Sequence, residues 1–465
     1  MLFTSSAFLV LVVVTFVIYY VLPGKRAQVA LLIVASFIFY AWSFPVLLLL
    51  LLGSILINWA VTYGILSTTD PRRRKQLAVV GVALNLGILA FFKYSPLLGA
   101  TFFPDASAVG DFLLAIPLPI GISFFTFQGI SLVVDTYREE ELKLPGAGAR
   151  PVGLLGTVAF YIAFFPQLIA GPIVKAHDFL PQVQKKMFGE IDWTTAFRFL
   201  VTGYFLKMVV ADNLKDFTYW MSYPYFQSLA ITDLAGLLFG YSIQIFADFA
   251  GYSLIAIGLA RLFGYVLMDN FYFPYISAGF SEFWRRWHIS LSTFLKEYLY
   301  IPLGGNQHGA FRTYLNLMIT MVLGGLWHGA AWSYAVWGTY HGLALALERL
   351  ARDGNFRPLT SVWLRRLWVF GVVTVGWLLF RLPEFSHALL YLQKMVTNKP
   401  VGNLERVGMV LTYASPVVVY HLAHLYLDRE GKVFHNYLQP LAYGTMIFLL
   451  LTNAGSSGTF IYFQF

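Results

Sequence analysis

The chain has 465 residues, 58% hydrophobic and 12% charged, with a formal net charge of +9 and a mean hydropathy of +0.66. A soluble domain is about a quarter charged; this sequence cannot cover a water-facing surface and is read as a multi-span α-helical protein of the lipid bilayer. A closed β-barrel is excluded because runs such as Phe8–Leu22 and Val46–Leu52 do not alternate. The basic residues cluster in short loops, as the positive-inside rule requires, and do not point to nucleic acid. With no cysteine, thiol nucleophiles, thiolate metal sites and disulfides are ruled out.

The N-terminal stretch has neither a basic n-region nor a small-residue cleavage site and reads as a retained first span. Spans follow at Ala7–Leu22, Val29–Trp42, Val46–Leu66 and Leu77–Lys93. Lys25 and Arg26 follow the first, Arg72 to Lys75 follow the third, and Ser43–Pro45 is uncharged. Alternation therefore puts the N-terminus outside the cytoplasm, in the periplasm, and both basic loops inside. If Phe112–Val134 crosses, Tyr94–Asp111 lies outside and Arg138–Lys143 inside, in agreement with that orientation.

The middle of the chain is interrupted at Pro117, Pro119, Gly121 and Gly129, then at Pro166, Gly171 and Pro172. Such residues at membrane depth mark broken or re-entrant helices beside a cavity. Further spans are expected near Phe197–Val210, Ile231–Phe246, Tyr252–Leu267, Tyr314–Leu326, Tyr334–Leu347, Leu367–Phe380, Met409–Leu427 and Leu441–Thr452. The connections Lys175–Asp192 and Ala351–Arg366 are too short to fold alone. The expectation is one all-α polytopic domain over residues 1–465, with about eleven spans plus re-entrant and interfacial helices.

Four stretches carry candidate chemistry. His328 lies in GGLWHGAAW, inside a run from Thr313 to Leu347 free of Asp, Glu, Lys and Arg. An ionisable group in a membrane segment is a functional candidate by default, and imidazole exchanges protons near neutral pH. Packing against a neighbouring helix is the competing reading. His341, 13 residues on, sits ~20 Å away on a continuous helix and reads as packing. Ser281–Asn306 reads as an interfacial amphipathic helix, with Ser281 as cap, Glu282 in the first turn and Pro302, Gly304 and Gly305 as terminators. On it, Trp284, His288, Leu291 and Leu295 form an apolar stripe, while Arg285 and Arg286 are either headgroup anchors or binders of an anionic cosubstrate. Asp248, alone in a long apolar passage, reads as half of an ion pair or as cavity lining. Lys207 and Asp212 read as span-end residues. His421 and His424 lack a third ligand, so no metal site is assigned. No phosphate-binding loop, dinucleotide fingerprint or nucleophile elbow is present.

Taken together, LPIGISFFTFQGISLVVDTYR (Leu118–Arg138), FFPQLIAGPIV (Phe164–Val174), FADFAGYSLIAIGLARLFGY (Phe246–Tyr265), FWRRWHISLSTFLKEYLYIPLGGN (Phe283–Asn306), GGLWHGAAWSYAVWGTYHG (Gly324–Gly342) and the terminal LFTSSAFL and FIYFQF resemble the membrane-bound O-acyltransferase (MBOAT) superfamily. The likeness is to its bacterial branch for alginate and cellulose O-acetylation, which also includes teichoic-acid D-alanylation. The resemblance implies a helical bundle around a central tunnel in the bacterial inner membrane, with donor entering from the cytoplasm and acceptor from the other side. It puts the family's histidine on His328 and its second polar position on His288. It implies acetyl-CoA as donor cosubstrate, with no bound cofactor and no metal. Arg285, Arg286, Trp327, Asp248, Ser292 and Asn306 become donor-binding candidates, and Gly324, Gly325 and Gly329 are read as room for the thioester. Implied partners are a periplasmic acetyl-accepting transferase and a polysaccharide synthase complex. A transporter or channel without covalent chemistry, and D-alanyl transfer, are the alternatives; inverted repeats, which would favour transport, are not visible.

Overall fold

The computed structural model describes residues 1–103, 107–138, 142, 144, 151–169, 171–354, 361–427, 438–456, 458, 460 and 461. Most of the Arg138–Lys143 loop, the centre of the Ala351–Arg366 connection and most of the FIYFQF motif lie outside the described residues. The fold is all-α and polytopic. Among the described residues, six helical stretches are long and apolar enough to cross a membrane: Leu47–Leu66, Pro71–Phe102, Trp193–Met221, Ile231–Leu262, Val362–Arg381 and Leu404–Tyr426. Ser6–Val21, Pro151–Ala163 and Gln439–Thr452 are shorter apolar helices.

The chain separates into two compact units, residues 1–200 with 253–268, and residues 201–252 with 269–465. In the first, the predicted break before Ile122 is present. The expected crossing Phe112–Val134 is split into Ala108–Leu114 and Ile122–Tyr137, with Gly121 at φ +79° between them, a conformation that costs glycine little. Pro166 likewise sits in a single helical turn, Phe165–Leu168, after Pro151–Ala163 ends. Polar groups in this unit pair locally, as a water-free interior demands. Asn58 and Asn85 exchange side-chain hydrogen bonds at 3.2 and 2.9 Å. Gly129 makes room for them, since a Cβ there would lie 2.6 Å from both amides. Asp135 accepts from Ser131 Oγ and lies within 3.0 Å of His177 Nδ1.

Two expectations fail. The spans predicted at Ile231–Phe246 and Tyr252–Leu267 are one helix, Ile231–Leu262. Gly251, between the two expected spans, is a point of close approach: a Cβ there would lie 2.9 Å from the Gly203 carbonyl and the Lys207 amide. The Ser281–Asn306 helix, expected to be continuous, is broken at its middle. Phe280–Arg286 and Ile289–Leu295 flank His288, whose φ is +44°.

The second unit is organised by two helices, Gly309–His328 and Trp332–Asp353, joined at Gly329–Ala331. Small residues let their backbones meet. A Cβ on Gly325 would lie 2.2 Å from the Tyr334 carbonyl, and one on Gly338 2.3 Å from the Met321 carbonyl. Neither obstacle is a side chain that can swing away. Gly325→Ala is therefore expected to destabilise the protein by about 1–3 kcal/mol through backbone overpacking. Gly371→Ala, where a Cβ meets nothing within 4 Å, is the reference. Thermal unfolding of the detergent-solubilised variants reads the difference; equal melting temperatures would refute the packing assignment.

Candidate active site

His328 is the last residue of the Gly309–His328 helix, and Gly329 beyond it is extended at φ −162°. The helix end turns the imidazole into an aromatic enclosure. Trp327, Trp337 and Phe380 each have ring centroids 5.2 Å from that of His328. The side chain is buried, at 4% exposure.

His288 arrives from a different element. Its left-handed backbone conformation is uncommon for a residue with a Cβ and follows from the helix break. Asn270 stabilises the restart: its carbonyl accepts from the Ile289 amide at 2.9 Å and its side chain from Ser290 Oγ at 2.6 Å. The preceding helix starts at Phe280 with Gly279 as its cap, not Ser281 as expected. Its free amides at Phe280 and Ser281 donate to the Glu348 carboxylate, the latter at 3.2 Å, so an acid on the Trp332–Asp353 helix replaces a local cap. The break directs His288 to His328, ring centroids 6.2 Å apart, with Trp327 at 5.9 Å and Phe249 edge-on at 4.6 Å. His288 is fully buried. Desolvation lowers its pKa to about 3, so it is a neutral hydrogen-bonding group at pH 7.

The structure therefore brings together His328, His288 and Trp327. The other candidates lie elsewhere in this unit. Arg286 pairs with Glu282 at 2.9 Å and donates to the Tyr272 carbonyl, whereas Arg285 and Asn306 are exposed. Ser292 Oγ donates to the Trp287 carbonyl at 3.3 Å. Asp248 is ion-paired with Lys207 at 2.7 Å, and its other oxygen accepts from the Ile461 amide at 2.6 Å. His341 is separated from His328 by Trp337, which it meets at 4.6 Å, and Trp284 covers its other side at 5.2 Å. His424 stacks on Phe273 at 3.8 Å. Among the described residues no group of three His, Asp or Glu has metal-binding geometry.

Two readings need correction. Lys207 and Asp212 are not span-end residues: they are 1% and 2% exposed and paired at 2.8 Å. A π-helical segment, Phe205–Ala211, makes this possible, because residues five apart lie ~140° past a full turn on an α-helix and come closer to alignment on the wider π-helix. The glycines around His328 are filled by protein: a Cβ on Gly324 would lie 2.9 Å from Leu295 Cδ1, and one on Gly329 2.2 Å from the Tyr334 ring. They set helix approach, not ligand space. Phe380, Phe249 and Trp337 were not singled out from sequence, since aromatic residues are common throughout. One open volume adjoins Phe380. It is a cavity of about 450 Å³ lined by Lys215, Thr218, Tyr241, Gln244, Arg381 and Ile461, with Phe380 itself in its wall.

Residues 118–382 match the sequence profile of the MBOAT, membrane-bound O-acyltransferase family, a span that contains both histidines. The chain is 38% identical to the probable alginate O-acetylase AlgI of Pseudomonas aeruginosa over 95% of its own length and 83% of that protein. It is 38% identical to the same-named protein of Azotobacter vinelandii, over 95% and 87%, and 31% identical to the peptidoglycan O-acetyltransferase of Helicobacter pylori, over 93% and 91%. The chain belongs to the membrane-bound O-acyltransferase family. Within it, the similarity is to the alginate O-acetylation branch, and the protein is a multi-pass membrane O-acyltransferase.

The backbone at His288 makes a prediction independent of chemistry. Asn tolerates the left-handed region, whereas a β-branched residue does not. His288→Asn should unfold near the wild-type temperature. His288→Val should be less stable by about 1–2 kcal/mol, read as a lower melting temperature in detergent; equal melting of the two would argue against the strained geometry.

Proposed function

We propose that the protein transfers acetyl groups from cytoplasmic acetyl-CoA, across a bacterial inner membrane, to a periplasmic acceptor hydroxyl, for O-acetylation of an exopolysaccharide such as alginate or cellulose. The observation that carries this reading is the buried pair of histidines 6.2 Å apart, in a chain similar to alginate and peptidoglycan O-acetylating proteins. His328 is the general base: it takes the acceptor hydroxyl proton as the oxygen attacks the thioester carbonyl. The neutral His288 donates an N–H to the oxyanion that forms. Collapse of the tetrahedral intermediate breaks the C–S bond, and the leaving CoA thiolate takes the proton from the His328 imidazolium. A periplasmic acetyl-accepting protein and a polysaccharide synthase complex are the proposed partners.

Charge placement supports the orientation. Arg366 Nε donates to the Ile276 carbonyl and Glu348 caps the helix beginning at Phe280. Arg366, and Arg349 beside Glu348, thus lie at the end of the Val362–Arg381 stretch where it begins. Phe380 lies at its other end, roughly 20 Å along a helical rise. By the positive-inside rule the end that carries Arg349 and Arg366 is cytoplasmic; the exposed Arg285, with Arg286, is the proposed binder of an anionic donor such as CoA.

His328→Ala should lower acetyl transfer by about 10²–10⁴-fold, the range for loss of a general base, with purified protein in lipid nanodiscs and CoA release as the measure. Retention of wild-type polymer acetylation in cells carrying His328→Ala would sink the base assignment. Arg285→Gln should raise the KM for acetyl-CoA about tenfold but leave that for S-acetyl-N-acetylcysteamine, which lacks the phosphates, within about twofold. Equal KM changes for both thioesters would remove Arg285 from donor binding.

A further inference from the structure

The charged group buried deepest in this unit touches neither histidine. Lys207, Asp212 and Asp248 are 1%, 2% and 3% exposed. The ammonium of Lys207 lies 2.8 Å from Asp212 and 2.7 Å from Asp248. Burying charges is costly, and replacing such a network with apolar side chains is often neutral or stabilising. The network's geometry shows what it holds.

Asp248 uses its second oxygen for the Ile461 amide, 213 residues away, at 2.6 Å. The same end of the chain is tied to the π-helical segment and to the Asp212–Thr218 helix that follows it. The Gly455 amide donates to the Met208 carbonyl at 2.8 Å. Asn213 Nδ2 donates to the carbonyls of Val209 at 2.9 Å and Asn453 at 3.0 Å. Lys215 Nζ donates to the Ser456 carbonyl at 2.9 Å. These are backbone contacts on the C-terminal side, so they fix the path of the main chain and not one side chain.

That path ends in the wall of the histidine site. Phe460 is fully buried, with its ring 4.4 Å from that of Tyr252 and 5.8 Å from that of Phe249. Phe249 stands edge-on to His288 at 4.6 Å, 87° between planes. Ile461 lines the cavity whose wall includes Phe380, the ring that touches His328. Phe460 thus backs the ring that packs on one histidine, and Ile461 borders a cavity that shares Phe380 with the other.

We propose that the Lys207–Asp212–Asp248 network is a positioning device for acyl transfer. It clamps the C-terminal residues Asn453 to Ser456, Phe460 and Ile461 and, through the packing of Phe460 on Phe249, fixes His288 opposite His328. Lys207, Asp248 and the Ile461 N–H are positioning groups and take no part in bond making. The clamp rests on the reading that His288 acts in transfer.

The decisive substitution is Ile461→Pro, which removes the N–H that Asp248 accepts while leaving the three charges in place. Ile461→Val keeps the N–H and is the reference for loss of side-chain volume. In nanodiscs, kcat for CoA release from acetyl-CoA should fall at least tenfold from Ile461→Val to Ile461→Pro, with the acetyl-CoA KM changed less than twofold. Lys207→Met should give the same kcat-confined loss, and Lys207→Arg should recover part of it. Because the donor in this assay is itself proposed, acetyl content of the exopolysaccharide made by cells carrying each variant provides a donor-independent reading. Equal kcat values, or equal polymer acetylation, for Ile461→Pro and Ile461→Val would overturn the clamp, as would a loss shared equally between kcat and KM. Should Lys207→Met not fold, the Ile461 pair alone decides. His288→Ala separates the two readings: if it stays active, the proposed role of His288 fails, whereas an unaffected Ile461→Pro removes the clamp alone.

Discussion

The site depends on how closely the Gly309–His328 and Trp332–Asp353 helices approach. In lipid, apolar side chains gain little by leaving the surrounding acyl chains, so association relies on backbone contact and fitted packing. Gly325 and Gly338 place each helix against the other's carbonyls. The consequence is positional. The first helix must end where the second begins to diverge, and its final residue is His328. Trp337, one turn and a half into the second helix, then covers that imidazole, while Glu348 on the same helix fixes the start of the segment that delivers His288. One packed pair of helices therefore sets both histidines.

Much of this was legible in the sequence, and what was legible was of one kind. Long apolar runs bounded by charge marked helices at Ser6–Val21, Leu47–Leu66 and Gln439–Thr452 to within a few residues, since hydropathy reports directly on the membrane. The Pro117–Gly121 break and the two histidines were visible because proline at depth and imidazole in an apolar run both conflict with their surroundings. Features set by neighbours in space were not. Ile231–Phe246 and Tyr252–Leu267 looked like two spans, yet Gly251 between them serves a crossing chain inside an unbroken helix. His288 looked like part of a regular stripe, yet sits at the break. The spacing of Lys207 and Asp212 is unfavourable on an α-helix and becomes a contact only on a π-helix. Asp248 gains its second partner from residue 461, a pairing no local pattern encodes.

The break at His288 shows how the levels connect. A residue held in the left-handed region costs energy that the surroundings must supply, and two groups supply it: Glu348 satisfies the amides of the helix before it, and Asn270 those of the helix after it. Had the segment run on as one helix, His288 would have stayed in line with Trp284 and Leu291. The break rotates it out of that stripe toward His328, with Trp327 and Phe249 closing on its faces. Burial then makes the imidazole neutral. A neutral imidazole suits an interior that must stabilise a developing oxyanion without carrying a permanent charge.

Electrostatics across the second unit follow the same division. Permanent charges either lie toward a helix end, as with Arg366, or are locked into mutual contact, as with Arg286 and Glu282 or Lys207, Asp212 and Asp248. The histidine site between them is lined by Trp327, Trp337, Phe249 and Phe380, none of which can hold a charge. In so apolar a wall, an interaction with transient charge is stronger than in water, and two imidazoles can act on a hydroxyl and a thioester without a fixed ion competing for their hydrogen bonds. The buried ions serve this arrangement at a distance: they hold the backbone that forms the wall, and remain outside it.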